Sequence, residues 1–375
     1  KPAFNGRNLC FKGRFGWQAM FGKDRLKSPL LKENGDWKEI TWNDALSLIK
    51  AKSEGASQKR FELSPHISLE ELLIAQKAAH NRGAELYANP RYLIFSSQYL
   101  AWQPNHEPYD VLDNFEEYVV IGEVSHTLRT MLRLKQRAGK KLLSVVSCGS
   151  KPLVFADSVH SSISSLTLSP RQLFIYNLNK IREQSIAKVL NAVCAVDPKL
   201  GNVLETSDYQ NYRGLQLIQP DFARPTDAGF VLAWGCQAMK TESPGFRVQI
   251  QQFADPRCEA DLLLPAPSYL EIDGTALSNN GGITRFKNPA RSALVNELLR
   301  LFYELGWISP ATADINHWNE AADQLLKTAP GEASKAYDPA RIDVSALRDI
   351  VIPLDNLLQQ RVIELYEQRK TPTQF

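Results

Sequence analysis

Short apolar runs alternate with amphipathic stretches along most of the chain, and the alternation predicts strand–helix units. "KDRLKSPLLKENGDWKEITW" reads as an extended arm with a turn at Asn34–Gly35. "TWNDALSLIKAKSE" then starts a helix: Thr41 is placed to cap, Asp44 stands three residues on, and Ala45, Leu48 and Ile49 share a face. "RFELSP" reads as a short strand. The next helix spans Ser68 to Arg82, with Ser68 at its cap, Glu70 and Glu71 in its first turn and Gly83 as its stop.

From about residue 118 the pattern repeats. "EYVVIGE" predicts a buried strand, Ser125 to Ala138 a helix stopped by Gly139, and "KLLSVVS" the next strand. "SSLTL" is a further strand candidate, and a helix is expected from Pro170 to Val196. Pro220, Pro225 and Asp227 mark a join before a third block, where "GFVLAWG", "RVQIQQFA" and "ADLLLPAP" read as strands and Ser292 to Leu305 as a helix. The stretch from 309 is polar and proline-punctuated, with a helix expected at about 350 to 369. The alternation argues for α/β architecture with parallel sheets.

Composition adds exclusions. The 375 residues allow two or three domains, and 43 % hydrophobic with 23 % charged residues is ordinary for a globular chain. A net charge of +3, with the charges interspersed, gives no sign of a nucleic-acid partner. Cys10, Cys148, Cys194, Cys236 and Cys258 are too scattered for a disulfide framework, so a reducing compartment is expected, with the cytoplasm as default. No apolar run approaches a membrane span, and no signal-peptide pattern is present.

Familiar catalytic patterns are missing. No G-x-G-x-x-G follows a strand, and there is no Walker loop, G-x-S-x-G elbow, H-x-H or H-E-x-x-H. The six histidines read as helical or surface residues, and "SVHSSISS" as loop and strand edge. The "EVSHT" loop after "VVIG" lies where parallel sheets bind ligands, and the helix start at Ser125 could meet a phosphate. Glu123 opposes that reading. The sharper signal is "EADLLLPAPSYLEIDGTALSNNGGITRF", residues 259–286, with turn signals at Asp273–Gly274 and Asn280–Gly281. It reads either as a structural turn loop or as a ligand loop. Near the start, "NLCFKGRFGW" sets Cys10 beside Lys12 and Arg14; a lone thiol there reads as a nucleophile, a buried filler or one ligand of a larger metal site.

Together, "NLCFKGRFGW…DRLKSPLLKENGDWKEITWNDALSLI" and "ADLLLPAPSYLEIDGTALSNNGG" resemble the molybdopterin oxidoreductase superfamily. Its members include formate dehydrogenase-like catalytic subunits and the large iron–sulfur subunit of respiratory NADH:quinone oxidoreductase. The resemblance covers roughly the first 305 residues, although 118–168 matches in layout only. It implies Rossmann-like parallel-sheet domains of the formate dehydrogenase/dimethylsulfoxide reductase type (domains 1–3), without the C-terminal β-barrel domain. The implied organisation is a remnant of a [4Fe–4S] module at 1–25 and a discontinuous α/β domain at 26–105 plus 215–308. An α/β domain at 106–214 is inserted, and 309–375 forms a tail with a helix.

By the same resemblance, Cys10 matches the fourth cysteine of a [4Fe–4S] site, and Lys12 the lysine between cluster and pterin. Nearby positive charge and backbone donors would suit a cluster thiolate. Asp273, Gly274 and Thr275 match a loop shaped for a pterin nucleotide. Departures accompany these matches. The three earlier cluster cysteines would lie upstream of Lys1, so the cluster is expected in the full-length protein and not in this fragment. No cysteine stands near "GAELYANPRYLIFSSQYL" to ligate molybdenum; the position by count is Leu93, with Ser96 and Ser97 the nearest alkoxide candidates. The asparagine expected after E-x-D-G-T is displaced to Ser278–Asn279, and the usual glutamine is Thr284. The resemblance therefore points to a member that keeps the fold and has lost the molybdenum site, with bound molybdopterin not expected. The expected role is a scaffold in an NAD(P)H-linked electron-transfer protein, partnered by subunits or domains carrying flavin, nucleotide or iron–sulfur sites. The alternatives are part of an active molybdenum or tungsten oxidoreductase, such as formate dehydrogenase, and a non-redox interaction module.

Overall fold

The computed structural model describes residues 22, 24–89, 92, 110–146, 150–177, 189, 191–193, 195–196, 202–207, 211–222, 227–236, 238, 245–253, 258–277, 283–288 and 292–328. In chain order the elements begin with a hairpin, β1 (Leu30–Glu33) and β2 (Asp36–Glu39). Its turn has positive φ at both Asn34 (53°) and Gly35 (94°), the conformation a two-residue hairpin favours. Helix α1 (Trp42–Glu54) starts in a reciprocal capping box between Thr41 and Asp44. Then come β3 (Lys59–Leu63), α2 (Leu69–Arg82) and β4 (Glu85–Ala88). A second series follows: β5 (Glu117–Ile121), α3 (His126–Arg137), β6 (Lys141–Val145), β7 (Ser158–His160), β8 (Gln172–Asn177) and β9 (Val203–Thr206). The third comprises α4 (Tyr212–Leu217), β10 (Phe230–Trp234), β11 (Phe246–Gln251), β12 (Leu262–Pro265), β13 (Gly274–Leu277), β14 (Ile283–Phe286), α5 (Leu294–Glu304) and α6 (Ile315–Thr328).

These strands form a seven-stranded sheet in the order β2-β1-β12-β11-β10-β3-β4, a five-stranded sheet in the order β7-β6-β5-β8-β9, and the β13–β14 hairpin. The five-stranded sheet is parallel throughout, as are β12 to β4 of the larger one. The α/β class with parallel sheets follows from the near-continuous apolar runs, since such strands are covered on both faces. Phe61, Trp234, Phe302 and Trp307 interlock at the centre of the main core. The ring centroids of Phe61–Trp307 and Phe302–Trp307 are 5.3 Å apart, and those of Trp234–Phe302 5.5 Å.

Three expectations need correction. Residues 172–177 of the expected Pro170–Val196 helix form β8, a central strand buried along its length; 189 and 191–193 further on are helical. β-branched and aromatic side chains packed on both faces decide the issue for "QLFIYN" over its weak helical pattern. "SSLTL" is not a strand: 163–165 is a 3-10 turn, and "SVH" at 158–160 supplies the edge strand. The polar stretch from 309 contains α6, whose Trp318, Ala322 and Leu326 are buried in the core, with Trp318 Nε1 donating to Thr312 O at 2.7 Å. The helix expected at 350–369 lies outside the described residues. No described helix is long and apolar enough to cross a membrane.

Candidate functional site

In the larger sheet β3 leads to β4 on one side, whereas β10, β11 and β12 run away on the other. The order reverses between β3 and β10, and crevices at such points, outside the strands' carboxyl ends, are where open α/β sheets hold ligands. Here the two strand ends touch. Ser64 Oγ donates to Gly235 O at 2.8 Å, and Gly235 has φ +71°. A Cβ on Gly235 would stand 2.7 Å from Ser64 Oγ and 2.8 Å from Ile67 Cγ2, so only glycine permits this approach.

The 259–286 loop folds over the same edge, and its motif residues turn inward. Asp261 Oδ2 accepts the Arg247 N–H at 2.7 Å. Glu271 Oε2 accepts from the Ser268 N–H at 2.8 Å and from Arg25 Nη2 at 2.5 Å. Arg25 also donates to the carbonyls of Gln252 (2.8 Å) and Ala266 (2.6 Å). Burial pushes the Glu271 carboxyl up, but the Ser268 N–H and the Arg25 guanidinium outweigh it and hold the group below its ordinary value. Asp273 Oδ1 accepts the Asn288 N–H at 2.6 Å, and Lys287 Nζ lies 3.7 Å from its Oδ2. Gly274 packs where a Cβ would meet Phe286 Cε2 at 2.6 Å and Ser68 Cβ at 3.0 Å. The Thr275 N–H goes to Glu70 Oε2 at 2.7 Å. Leu277 N–H goes to Asn211 Oδ1 at 2.9 Å, and Asn211 Nδ2 to Ile67 O at 2.9 Å. The structure thus brings Asp273, Gly274 and Thr275 together with the start of α2.

That helix start carries the electrostatic feature that the sequence reading missed. Ser68 and Glu71 form a reciprocal capping box, and Glu70 and Glu71 are buried instead of facing solvent. Burial pushes both carboxyls up, Glu71 to about 7. Glu71 lines a cavity of about 30 Å³ with His66, Gln252, Tyr269 and Phe286, and among the described residues its Oε1 has no hydrogen-bond partner. The volume suits one or two water molecules. Such a carboxyl can hold and release a proton near neutrality. The available sequence signal was the apolar flank of the pair, Leu69, Leu72 and Leu73, which leaves little polar face around the two acids.

Cys10, Lys12, Leu93, Ser96, Ser97, Ser278 and Asn279 lie outside the described residues. Thr284 is exposed and pairs with Ala276 across the β13–β14 hairpin. Among the described residues no group of three or more His, Cys, Asp or Glu could hold a metal ion. Cys236 Sγ donates to Glu62 O at 3.5 Å, with burial pushing the thiol well up, and Cys258 Sγ donates to Gln249 Oε1 at 2.8 Å. Cys236 is half-buried and Cys258 buried; Cys148 and Cys194 are outside the described residues. A nucleotide-sized ligand needs a cleft of roughly 300 Å³ or more. The cavity of about 30 Å³ beside the described part of the E-x-D-G-T loop is too small to hold one by itself.

Residues 25–152 match the model of the family described as Molybdopterin oxidoreductase. "Putative formate dehydrogenase YrhE" of Bacillus subtilis is 33 % identical over 81 residues, 20 % of this chain and 8 % of that protein. F420-dependent formate dehydrogenase 2 subunit alpha of Methanococcus maripaludis is 42 % identical over 48 residues, 13 % of this chain and 7 % of that one. The chain therefore spans less than a tenth of the length of these relatives where it matches them. A chain of the formyltransferase/hydrolase complex (FhcABCD) from Methylorubrum extorquens in complex with methylofuran superposes at a TM-score of 0.44 and 10 % identity. That superposition covers 80 % of this chain and 99 % of that one, a likeness too slight to bear on the fold. Over residues 25–152 the chain is thus similar to the molybdopterin oxidoreductase family, and the formate dehydrogenase-like relatives agree with that likeness.

Proposed function

We propose that this chain is the frame of an NAD(P)H-linked iron–sulfur electron-transfer protein, keeping the superfamily's fold without molybdenum catalysis of its own. One observation carries the reading. Each residue of the E-x-D-G-T motif with a chemical handle is committed to internal packing: Glu271 to Arg25, Asp273 to Asn288, and the Thr275 N–H to Glu70. Gly274 is closed off by Phe286 and Ser68. In this reading residues 26–105 and 215–308 make one α/β unit, 106–214 an inserted one, 1–25 the rim of an iron–sulfur module, and 309–375 an extension. Cys10 is a cluster ligand and Lys12 tunes the cluster potential, with the remaining ligands upstream. Its partners are subunits or domains bearing flavin, nucleotide or further clusters, in the cytoplasm.

A second reading, part of an active molybdenum or tungsten oxidoreductase, is favoured by the formate dehydrogenase names of the relatives. Metal and pterin analysis of the longer polypeptide separates the two. Iron, with a visible absorption that bleaches on reduction, and no stoichiometric molybdenum, tungsten or released pterin, is the expected result. Stoichiometric metal and pterin overturn the proposal in favour of the second reading. A protein with neither iron nor pterin leaves only a non-redox interaction module.

A further inference from the structure

Helix α3 reads "HTLRTMLRLKQR" and holds four basic residues and no acidic one. On and beside this helix the lysines are paired: Lys135 with Asp113, Lys140 with Glu116 at 2.6 Å and Lys141 with Glu117 at 3.2 Å. Arg129, Arg133 and Arg137 are different. They stand four residues apart on the helix surface, and among the described residues none has an ion pair. Like charges at this spacing disfavour the helix. Arg129 and Arg133 hold their guanidiniums over the half-buried Phe155 ring, each 5.9 Å from its centroid.

Apolar side chains surround this strip. Val154 is 85 % exposed, Leu134 58 % and Val159 54 %. Val159 pairs with Ser144 on edge strand β7, and Ser144 shares a sheet face with Leu142, which packs with Leu128 and Leu132 of α3. The valine therefore faces the side of the sheet on which the arginines stand. Exposed apolar atoms beside stacked arginines make the composition expected of a protein interface core.

We propose that this face of α3 and β7 docks a carboxylate-rich protein surface with an apolar centre, independently of what the carboxyl edge of the larger sheet binds. Charge complementarity selects the partner. The unpaired guanidiniums offer forked donors to carboxylates, while the flanking valines and Leu134 require apolar contact that a phosphate backbone does not supply.

The test uses the full protein and a fluorescein-labelled peptide of eight glutamates around two central leucines, read by anisotropy. A ten-nucleotide oligothymidylate and phosphatidylglycerol vesicles serve as comparators. Saturable peptide binding is expected, about tenfold weaker for R129Q/R133Q/R137Q, from three exposed charge contacts of ordinary strength. The milder R137Q/V154S variant keeps both guanidiniums on Phe155 and is expected to bind about threefold more weakly. Unchanged affinity in either folded variant, absence of peptide binding, or oligothymidylate or vesicle binding as tight as the peptide's overturns the proposal.

Discussion

Arg25 and Glu271, 246 positions apart in the chain, meet at 2.5 Å, and their side chains are only 3 % and 16 % exposed. The pair ties the segment entering β1 to the loop leaving β12, and Arg25 also spans two backbone carbonyls there. Removing the arginine leaves a half-buried carboxylate and two carbonyls with lost donors. Arg25→Ala is expected to destabilise by about 3–5 kcal/mol, whereas Arg25→Met with Glu271→Met recovers most of that loss. Urea unfolding of the single and double variants measures the difference; equal losses in both would contradict a charge-pair origin.

The same pair sets a low-pH limb. Glu271 is held below its ordinary value of 4.5 in the folded chain, so its contribution is complete above that value and is lost as pH falls through the folded value. Stability measured from pH 6 downward should fall less steeply in Glu271→Gln than in the parent. Parallel slopes would show that Glu271 does not couple folding to acid.

Gly274 is a packing requirement of the E-x-D-G-T loop. A Cβ there would lie 2.6 Å from Phe286 Cε2 and 2.9 Å from Cζ, so the ring must move for alanine to fit. Gly274→Ala is expected to cost about 1–3 kcal/mol. The variant Gly274→Ala with Phe286→Leu should recover part of it, because the shorter side chain vacates the contact; thermal unfolding of both reads the coupling.

Much of the fold was legible because local and global signals agree. The capping boxes at Thr41–Asp44 and Ser68–Glu71 and the Asn34–Gly35 turn are short-range chemistry, and the buried strands are continuous apolar runs. "QLFIYN" misled because a strand covered on both faces loses its alternation and merges with the helical pattern that follows it. The candidate site was half legible. Its glycine and acids announced an ordered loop, yet their partners, Arg25, Glu70 and Asn288, are set by tertiary contacts that no local pattern encodes. Glu70 and Glu71 were hidden for the same reason: acids in a helix's first turn are normally solvated, and only the loop folded over them buries this pair.

Trp318 anchors α6 to the core at 4 % exposure, with its indole N–H on the Thr312 carbonyl at 2.7 Å. Trp318→Ala should destabilise by about 3–5 kcal/mol and raise exchange of the α6 amides, read by hydrogen exchange. A loss under about 1 kcal/mol would mean that α6 rests on the molecule without stabilising it.

Glu71 should leave the opposite signature from Glu271. Its folded value, about 7, lies above the ordinary 4.5 because burial penalises the charged form, and the neighbouring Glu70 carboxyl adds repulsion. Its contribution is therefore complete below 4.5 and is lost as pH rises from there through 7. Among the described residues the groups facing it are the Ser68 hydroxyl and N–H, Glu70, the Trp234 indole, and the His66 and Tyr269 side chains at the cavity. Glu71→Gln keeps an acceptor for the Ser68 N–H and cannot ionise. The variant should match the parent near pH 5 and exceed its stability at pH 8 by up to about 3 kcal/mol, the free energy of ionising the buried carboxyl. Urea unfolding at the two pH values measures it. A parent curve that stays flat between 5 and 8, or a variant that tracks the parent throughout, would place the Glu71 proton outside the folding equilibrium.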